Sequence, residues 1–334
     1  MSSLAPGQDF AGYTIEGVAG RGGMGVVYQA MQRTLDRTVA LKLIAPELAA
    51  TDMFRERFER ESRVLAAIEH PNVIPVYEAG EVDGQLFISM RWVEGTDLGA
   101  VVPASGLEPR RAVGLIGQIT AALDAAHASG LVHRDVKPGN ALIETRRNGG
   151  EHLFLSDFGL SKRAGTGASL TGTGQMVGTL DYIAPEQIDG REVDARVDVY
   201  ALGCDLYQVL TGRLPFERDT EAAKLWAHMS VAPPAPTGTR PELPAEFDAV
   251  VARAMAKDPA DRFPSAGDFA RAARAAAGLA PPAGSERSVA VGPAAPSEAP
   301  TAIVNGGGSA TDITAWDAAA HADLAAHEET DVTR

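Results

Sequence analysis

His133-Arg134-Asp135-Val136-Lys137-Pro138-Gly139-Asn140 packs an acid, two cations and an amide carbonyl into eight residues that open with a histidine. A carboxylate can take a proton from an attacking hydroxyl, an ammonium two residues on can neutralise a phosphate, and an amide oxygen five residues on can hold Mg2+. The plainer reading is a polar turn between two apolar segments. The flanking sequence decides between the two.

Upstream, 109–129 is an Ala/Leu/Ile-rich amphipathic run that stops at Gly130, a helix with a C-terminal glycine signal. Leu131-Val132 then leads into the octapeptide, and a short apolar strand, 153–156, follows it and delivers Asp157-Phe158-Gly159. Nearer the start, Gly17, Gly20, Gly22, Gly23 and Gly25 crowd between a strand beginning at Tyr13 and the strand formers Val26-Val27-Tyr28. Gly20-x-Gly22-x-x-Gly25 lets backbone amides approach phosphate oxygens with no Cβ in the way. A dinucleotide fold uses the same spacing but needs a helix directly after the glycines, and here a strand follows. Val39-Ala40-Leu41-Lys42 is the next strand, after a turn at 35–37. From 51 to 68 the pattern is helical, with Phe54, Phe58, Ser62, Leu65 and Ile68 at three- and four-residue steps and Glu61 inside it. Strands are expected at 73–78 and 86–93, around Gly84.

Taken in order, these stretches resemble the eukaryotic-type (Hanks-type) bacterial serine/threonine protein kinases over roughly 10–277. The resemblance implies an α+β, bilobal protein-kinase fold. Its N-lobe, about 10–93, is an antiparallel sheet plus one helix; its C-lobe, about 94–277, is mainly helical; ATP is clamped between them. It implies that Asp135 is the base or hydroxyl-orienting residue, that Lys137 steadies the γ-phosphate, and that Asn140 and Asp157 bind Mg2+, with Mn2+ as the alternative ion. Lys42 would pair the α- and β-phosphates and be held by an ion pair with Glu61. The glycine loop, Ala19, Gly20, Arg21, Gly22, Gly23, Met24 and Gly25, would cover the nucleotide. Val27, Ala40 and Leu142 would sandwich the adenine, Met90 would be the gatekeeper, and the main chain of Arg91 and Val93 would bond the base. Ala19 departs from the large apolar residue usual before the first glycine, which thins that roof. Glu61 has a plainer reading as an i,i+4 partner of Arg57.

Residues 160–183 are Gly/Thr/Ser-rich and end in Ala184-Pro185-Glu186, the composition of a mobile activation loop. Thr171 and Thr173 are the candidate autophosphorylation sites, with Arg134 the best partner for a phosphate of about −1.5 to −2 charge. Plain flexible filler is the alternative. Thr179 matches a position that bonds Asp135 and Lys137. Asp198-Val199-Tyr200-Ala201-Leu202-Gly203 resembles the family's D-x-W-x-x-G helix, with tyrosine for tryptophan, and its aspartate would hold the catalytic-loop backbone. Arg262, in Asp258-Pro259-x-x-Arg262-Phe263, would pair with Glu186.

The 334-residue chain is long enough for two lobes and carries a formal net charge of −14, which argues against a general nucleic-acid or anionic-membrane surface. One cysteine, Cys204, rules out an internal disulfide and suits a reducing compartment. There is no run of 18 apolar residues and no signal-peptide pattern, so the chain reads as soluble and cytoplasmic. Residues 278–334, rich in Pro, Ala and Gly and acidic in balance, read as a disordered tail. Thr301, Thr311, Thr314 and Thr330 are candidate docking points for phosphothreonine-reading domains, against a plain spacer. Protein substrates with Ser/Thr, and a homodimer for activation, are the other partners the resemblance implies. A pseudokinase scaffold would have lost Lys42, Asp135 or Asp157; all three are present.

Overall fold

The computed structural model describes residues 4–147, 149–158 and 180–280. Thr171, Thr173, Thr179, Gly159 and the 281–334 segment lie outside them. The chain starts with β1 (Asp9–Phe10), β2 (Tyr13–Gly22), β3 (Gly25–Gln32) and β4 (Arg37–Ile44), then α1 (Asp52–Ala66), β5 (Val76–Val82) and β6 (Gln85–Arg91). The strands form an antiparallel sheet in the order β1-β2-β3-β4-β6-β5.

Alternation along these strands sorts side chains to two faces. Tyr13, Ile15, Tyr28, Ala30, Val39, Leu41 and Phe87 form one cluster. Ala40, Ile44, Ile88 and Met90 form the other, with Phe54 and Phe58 of α1 packed on it. Lys42 falls between Ala40 and Ile44, so the period of two turns it to the α1 face. Burying the two phenylalanines contributes about 1.5–3 kcal/mol each and fixes α1 against that face. Thr51 starts the helix, its hydroxyl accepting from the Phe54 N–H at 3.3 Å.

β5 and β6 join through Asp83-Gly84, both at positive φ, the mark of a tight two-residue hairpin turn. The strand expected at 73–78 begins later, at Val76. Its first residues are drawn toward the other lobe: Ile74 N–H donates to Leu155 O at 3.0 Å and Leu155 N–H to Asn72 O at 2.7 Å. Pro75 then has no N–H to give.

The second lobe holds a small antiparallel sheet, β7 (Gly95–Asp97), β8 (Ala141–Thr145) and β9 (Glu151–Leu155), in the order β7-β8-β9. Its helices are α2 (Leu98–Val101), α3 (Pro109–Ala128), α4 (Pro185–Ile188), α5 (Arg196–Thr211), α6 (Glu221–Ser230), α7 (Pro236–Thr239), α8 (Glu246–Ala254) and α9 (Ala266–Ala276). α5 is buried on nearly every side, from Val197 to Leu210, with the carboxylates Asp198 and Asp205 set among its apolar side chains. It packs with α3, α8 and α9 around one large core. The sheet-plus-helix lobe and the helical lobe are those the motifs imply. No helix among the described residues is long and apolar enough to cross a membrane.

Candidate active site

The octapeptide closes the link from α3 to β8, and its backbone hangs from α5. Asp198 accepts the His133 N–H at 2.8 Å and the Arg134 N–H at 2.7 Å, and His127 Nε2 lies 2.7 Å from the same carboxylate. Burial by itself would raise Asp198; the bond from His127 and the His133 and His127 rings more than offset this and hold its carboxyl below the usual range. Arg134 sits at φ +63, a strained left-handed turn that these bonds and the Gln187 amide on Arg134 O (3.1 Å) fix in place.

His133 bridges the octapeptide to the segment after β9. Its Nε2 is 2.9 Å from Ser156 O, and its Nδ1 accepts the Asp135 N–H at 3.3 Å. A carbonyl can only accept, so Nε2 carries the proton and the ring is neutral, in line with the burial that pushes its pKa down. The ring also packs on Phe158, centroids 4.6 Å apart.

Asp135 is buried, and Lys137 Nζ donates to its Oδ2 at 2.8 Å. Asn140 Nδ2 donates to Asp135 O at 2.7 Å and to Oδ2 at 3.2 Å, which presents the amide oxygen, Oδ1, as the donor for a cation. Among the described residues no three His, Cys, Asp or Glu side chains cluster. A divalent ion held by Asn140 Oδ1 and the Asp157 carboxylate would therefore draw its remaining oxygens from phosphate and water. Mg2+ prefers such a mixture, so the donor set fits it.

The Lys42–Glu61 pair expected from the motifs is not formed. Lys42 Nζ lies 2.8 Å from Asp157 Oδ1 and 3.6 Å from Met24 Sδ. Glu61 instead faces the Arg134 Nη1 at 3.9 Å and Arg60 Nη2 at 3.8 Å. The cause is local. Asp157 takes φ +59, and its carboxylate meets the lysine, while Glu61, on the buried face of α1, lies nearer the Arg134 guanidinium.

The glycine stretch is a hairpin tip, with Gly22 opposite Gly25 in register. Gly25 is at φ +138, and a Cβ there would stand 1.9 Å from Leu43 O; no other residue fits. Met24, half-buried at the tip, lines a pocket with Lys42, Ile44, Phe54 and Phe158. Ala19 is exposed, with Val18 exposed beside it.

Toward the adenine side expected from the motifs, Ala40 pairs with Met90, and Val27 and Val93 pack on the same cluster. Leu142 pairs with Phe154 of that cluster, so residues of both lobes meet there. The Arg91 N–H is bonded to Pro75 O at 2.9 Å, so Arg91 can serve a base through its carbonyl alone. Its side chain, which carries no role in the motif reading, bonds Glu144 at 3.1 Å and lies over the Phe154 ring.

Two partners were not legible as site residues. His127 occupies the buried stripe of α3 at four-residue steps from Ile119 and Leu123, and a polar residue on such a stripe is the signal that could have found it. The Met24–Lys42 contact carries no sequence signal.

A family model described as the protein kinase domain matches residues 13–271. Serine/threonine-protein kinase PknH of Mycobacterium tuberculosis is 48% identical over 271 residues, covering 81% of this chain and 42% of that protein. PknJ of the same organism is 45% identical over 275 residues, covering 82% of this chain and 46% of that protein. The chain thus spans less than half the length of these curated relatives. Among solved structures, the M. tuberculosis PknI kinase domain is similar with TM-score 0.67 and 35% identity, covering 83% of this chain and all of that one, 100%.

Proposed function

Because the chain belongs to the protein kinase family, we propose that it transfers the γ-phosphate of ATP to serine and threonine hydroxyls of proteins. The observation that carries this reading is the buried Asp135 carboxylate with Lys137 at 2.8 Å and Asn140 at 3.2 Å on the same oxygen. Those three groups supply a base, a phosphate-neutralising cation and a metal donor at one point.

In the proposed reaction Asp135 orients the acceptor hydroxyl and takes its proton as the oxygen bonds the γ-phosphorus and the β–γ bridging bond breaks, leaving ADP. Lys137 leaves Asp135 for the γ-phosphate, and Lys42 turns from Asp157 to the α- and β-phosphates. A divalent ion, Mg2+ or Mn2+, supplies charge neutralisation when held by Asn140 and Asp157. Catalysis is then positioning and electrostatics, with no covalent enzyme intermediate.

Autophosphorylation at Thr171 and Thr173 is part of the proposal, with Arg134 as the partner of the added phosphate. Its use in a signalling pathway, a homodimer for activation and phosphothreonine-reading partners belong to the same reading. An ATP-rich reducing compartment, the cytoplasm, suits the buried Cys204 thiol.

The acceptor class is tested by incubating the protein with Mg-ATP and either casein or an aminoglycoside, and mapping the product by mass spectrometry. Phosphoserine or phosphothreonine on casein, lost in Asp135→Asn, is expected. Phosphorylated aminoglycoside with unmodified casein would overturn the reading.

A further inference from the structure

Only Trp92, Val93 and Glu94 separate β6, the last strand of the first lobe, from β7, the first strand of the second. Both ends of that link meet Glu144. Gly95, where β7 begins, pairs with Glu144 of β8 across the small sheet. It lies so close to β8 that a Cβ there would stand 1.9 Å from Ile143 O. At the other end Arg91, the last residue of β6, sends its guanidinium to the Glu144 carboxylate, with Nη2 at 3.1 Å from Oε2 and 3.3 Å from Oε1.

Arg91 is itself fixed in its own lobe. It pairs with Val39 of β4, and its N–H donates to Pro75 O at 2.9 Å. Its guanidinium lies 4.7 Å from the centre of the Phe154 ring, which belongs to β9 of the second lobe but packs with Ala40 and Met90 of the first. A cation over an aromatic ring is attracted by the negative face of its π-system. Arg91 therefore holds the second lobe twice, by charge and through the ring, and the link 92–94 is closed into a loop by the ion pair. The Arg91 carbonyl and the main chain of Val93, the groups expected to meet the base, lie on that closed loop. Hinges are short segments that absorb the backbone rotation when lobes open, and a side-chain tie across both ends limits what this one absorbs.

We propose that Arg91 and Glu144 form a strut across the hinge: they are positioning residues that hold the Arg91 carbonyl and Val93 in place for the adenine and restrict how far the two lobes open. With the strut intact the base meets partners already ordered, which favours binding. With it broken the lobes open wider and the nucleotide leaves sooner. The two side chains are 39% and 28% exposed, so solvent screens their attraction, and the effect is a few-fold change rather than a loss of activity. Arginine suits the role because its planar guanidinium serves the carboxylate and the ring at once. The effect on nucleotide rests on the kinase reading, but the strut is a property of the free protein and is measured there.

The test has two arms, both on the full chain. In the first, without nucleotide, spin labels on Leu35→Cys, between β3 and β4, and Trp226→Cys, on α6, report the distance between the lobes by pulsed electron paramagnetic resonance. Both positions are exposed, and the buried Cys204 takes no label. Glu144→Gln and Arg91→Gln should broaden the distance distribution toward longer values, and the charge exchange Arg91→Glu with Glu144→Arg should narrow it again. Distributions identical to that of the labelled parent in both single variants overturn the strut, whether or not the protein transfers phosphate. In the second arm, release of fluorescent mant-ADP is followed by stopped flow. Release should quicken about three- to fivefold in each single variant (about 0.7–1 kcal/mol) and no further in the double variant Arg91→Gln with Glu144→Gln. ATP KM toward casein should rise by the same factor in Glu144→Gln, with the smaller change in kcat. Additive effects in the double variant, or a lowered Tm with unchanged release, mark the pair as merely structural and overturn the proposal. If Arg91→Gln fails to fold, Glu144→Gln decides the same question. A wild type that binds no mant-ADP would overturn the kinase reading, while the label distances still decide the strut.

Discussion

Arg262 grips Glu186 through two parallel hydrogen bonds, Nη1 to Oε1 at 2.6 Å and Nη2 to Oε2 at 2.7 Å, with both side chains closed off from solvent, at 0% and 2% exposure. The guanidinium also donates to Ala256 O at 2.8 Å and Arg196 O at 3.0 Å and lies over the Tyr200 ring. One side chain thus ties α4, α5 and the segment after α8 together. A surface pair would contribute about 0–1 kcal/mol. This one is buried, so removing one partner strands a charge. Glu186→Ala or Arg262→Ala should cost about 3–5 kcal/mol, read as the fall in urea midpoint. Arg262→Lys should not restore it, since an ammonium lacks the planar fork.

Acid should loosen the fold through its buried histidines. His228 is pushed down to about 3 by burial and by Lys257 and Lys224, and burial lowers His133 as well. A folded pKa below the unfolded one means that the unfolded chain binds the proton first. Stability is therefore full above about pH 6.5 and falls as pH drops toward 3. Asp124 and Asp205, raised by burial, act in the opposite sense: their contribution is present below the unfolded carboxylate range and is lost as pH rises above it, for Asp205 well above it. Comparing wild type with His228→Gln isolates the one group. The slope of unfolding free energy against pH between about 6 and 5 should be shallower in the variant, by up to about 1.4 kcal/mol per pH unit.

Gly25→Ala should disable the glycine hairpin. Its φ is +138 and the new methyl would stand 1.9 Å from Leu43 O, so β3 and β4 must part. A lower Tm and an ATP KM raised by at least about tenfold (roughly 1.4 kcal/mol) are expected; Gly114→Ala on α3, outside the glycine loop and where a Cβ meets nothing within 4 Å, serves as control.

Glu61 separates two accounts of Lys42. If Lys42 exchanges Asp157 for Glu61 during turnover, Glu61→Gln should lower kcat by about 10- to 100-fold (on the order of 1.4–2.7 kcal/mol) while Tm changes little. An unchanged kcat would mean that Lys42 works without it.

The strands, α1, α3 and the catalytic loop were legible because alternation, three-and-four spacing and glycine punctuation are local signals. Asp198 on the loop backbone and Arg262 on Glu186 were legible from motif order. The pairing of Lys42 was not, because a lysine beside two carboxylates chooses by the position of α1 and by the φ of Asp157, neither of which is written in local sequence. The late start of β5 escaped for a related reason: Ile74 bonds Leu155, eighty-one positions away, and strand propensity at 73–75 is overridden.

The central claim is that Lys42, Asp135, Lys137, Asn140 and Asp157 act together on one bound ATP and the transfer of its terminal phosphate. Its most direct measure is the initial rate of labelled γ-phosphate transfer from Mg-ATP to protein serine and threonine, for wild type, Lys42→Met and Asp157→Asn side by side. The account predicts incorporation by wild type and a loss of at least about a thousandfold (~4 kcal/mol) in both folded variants. Incorporation that persists in either variant, or a wild type that transfers nothing, would contradict it.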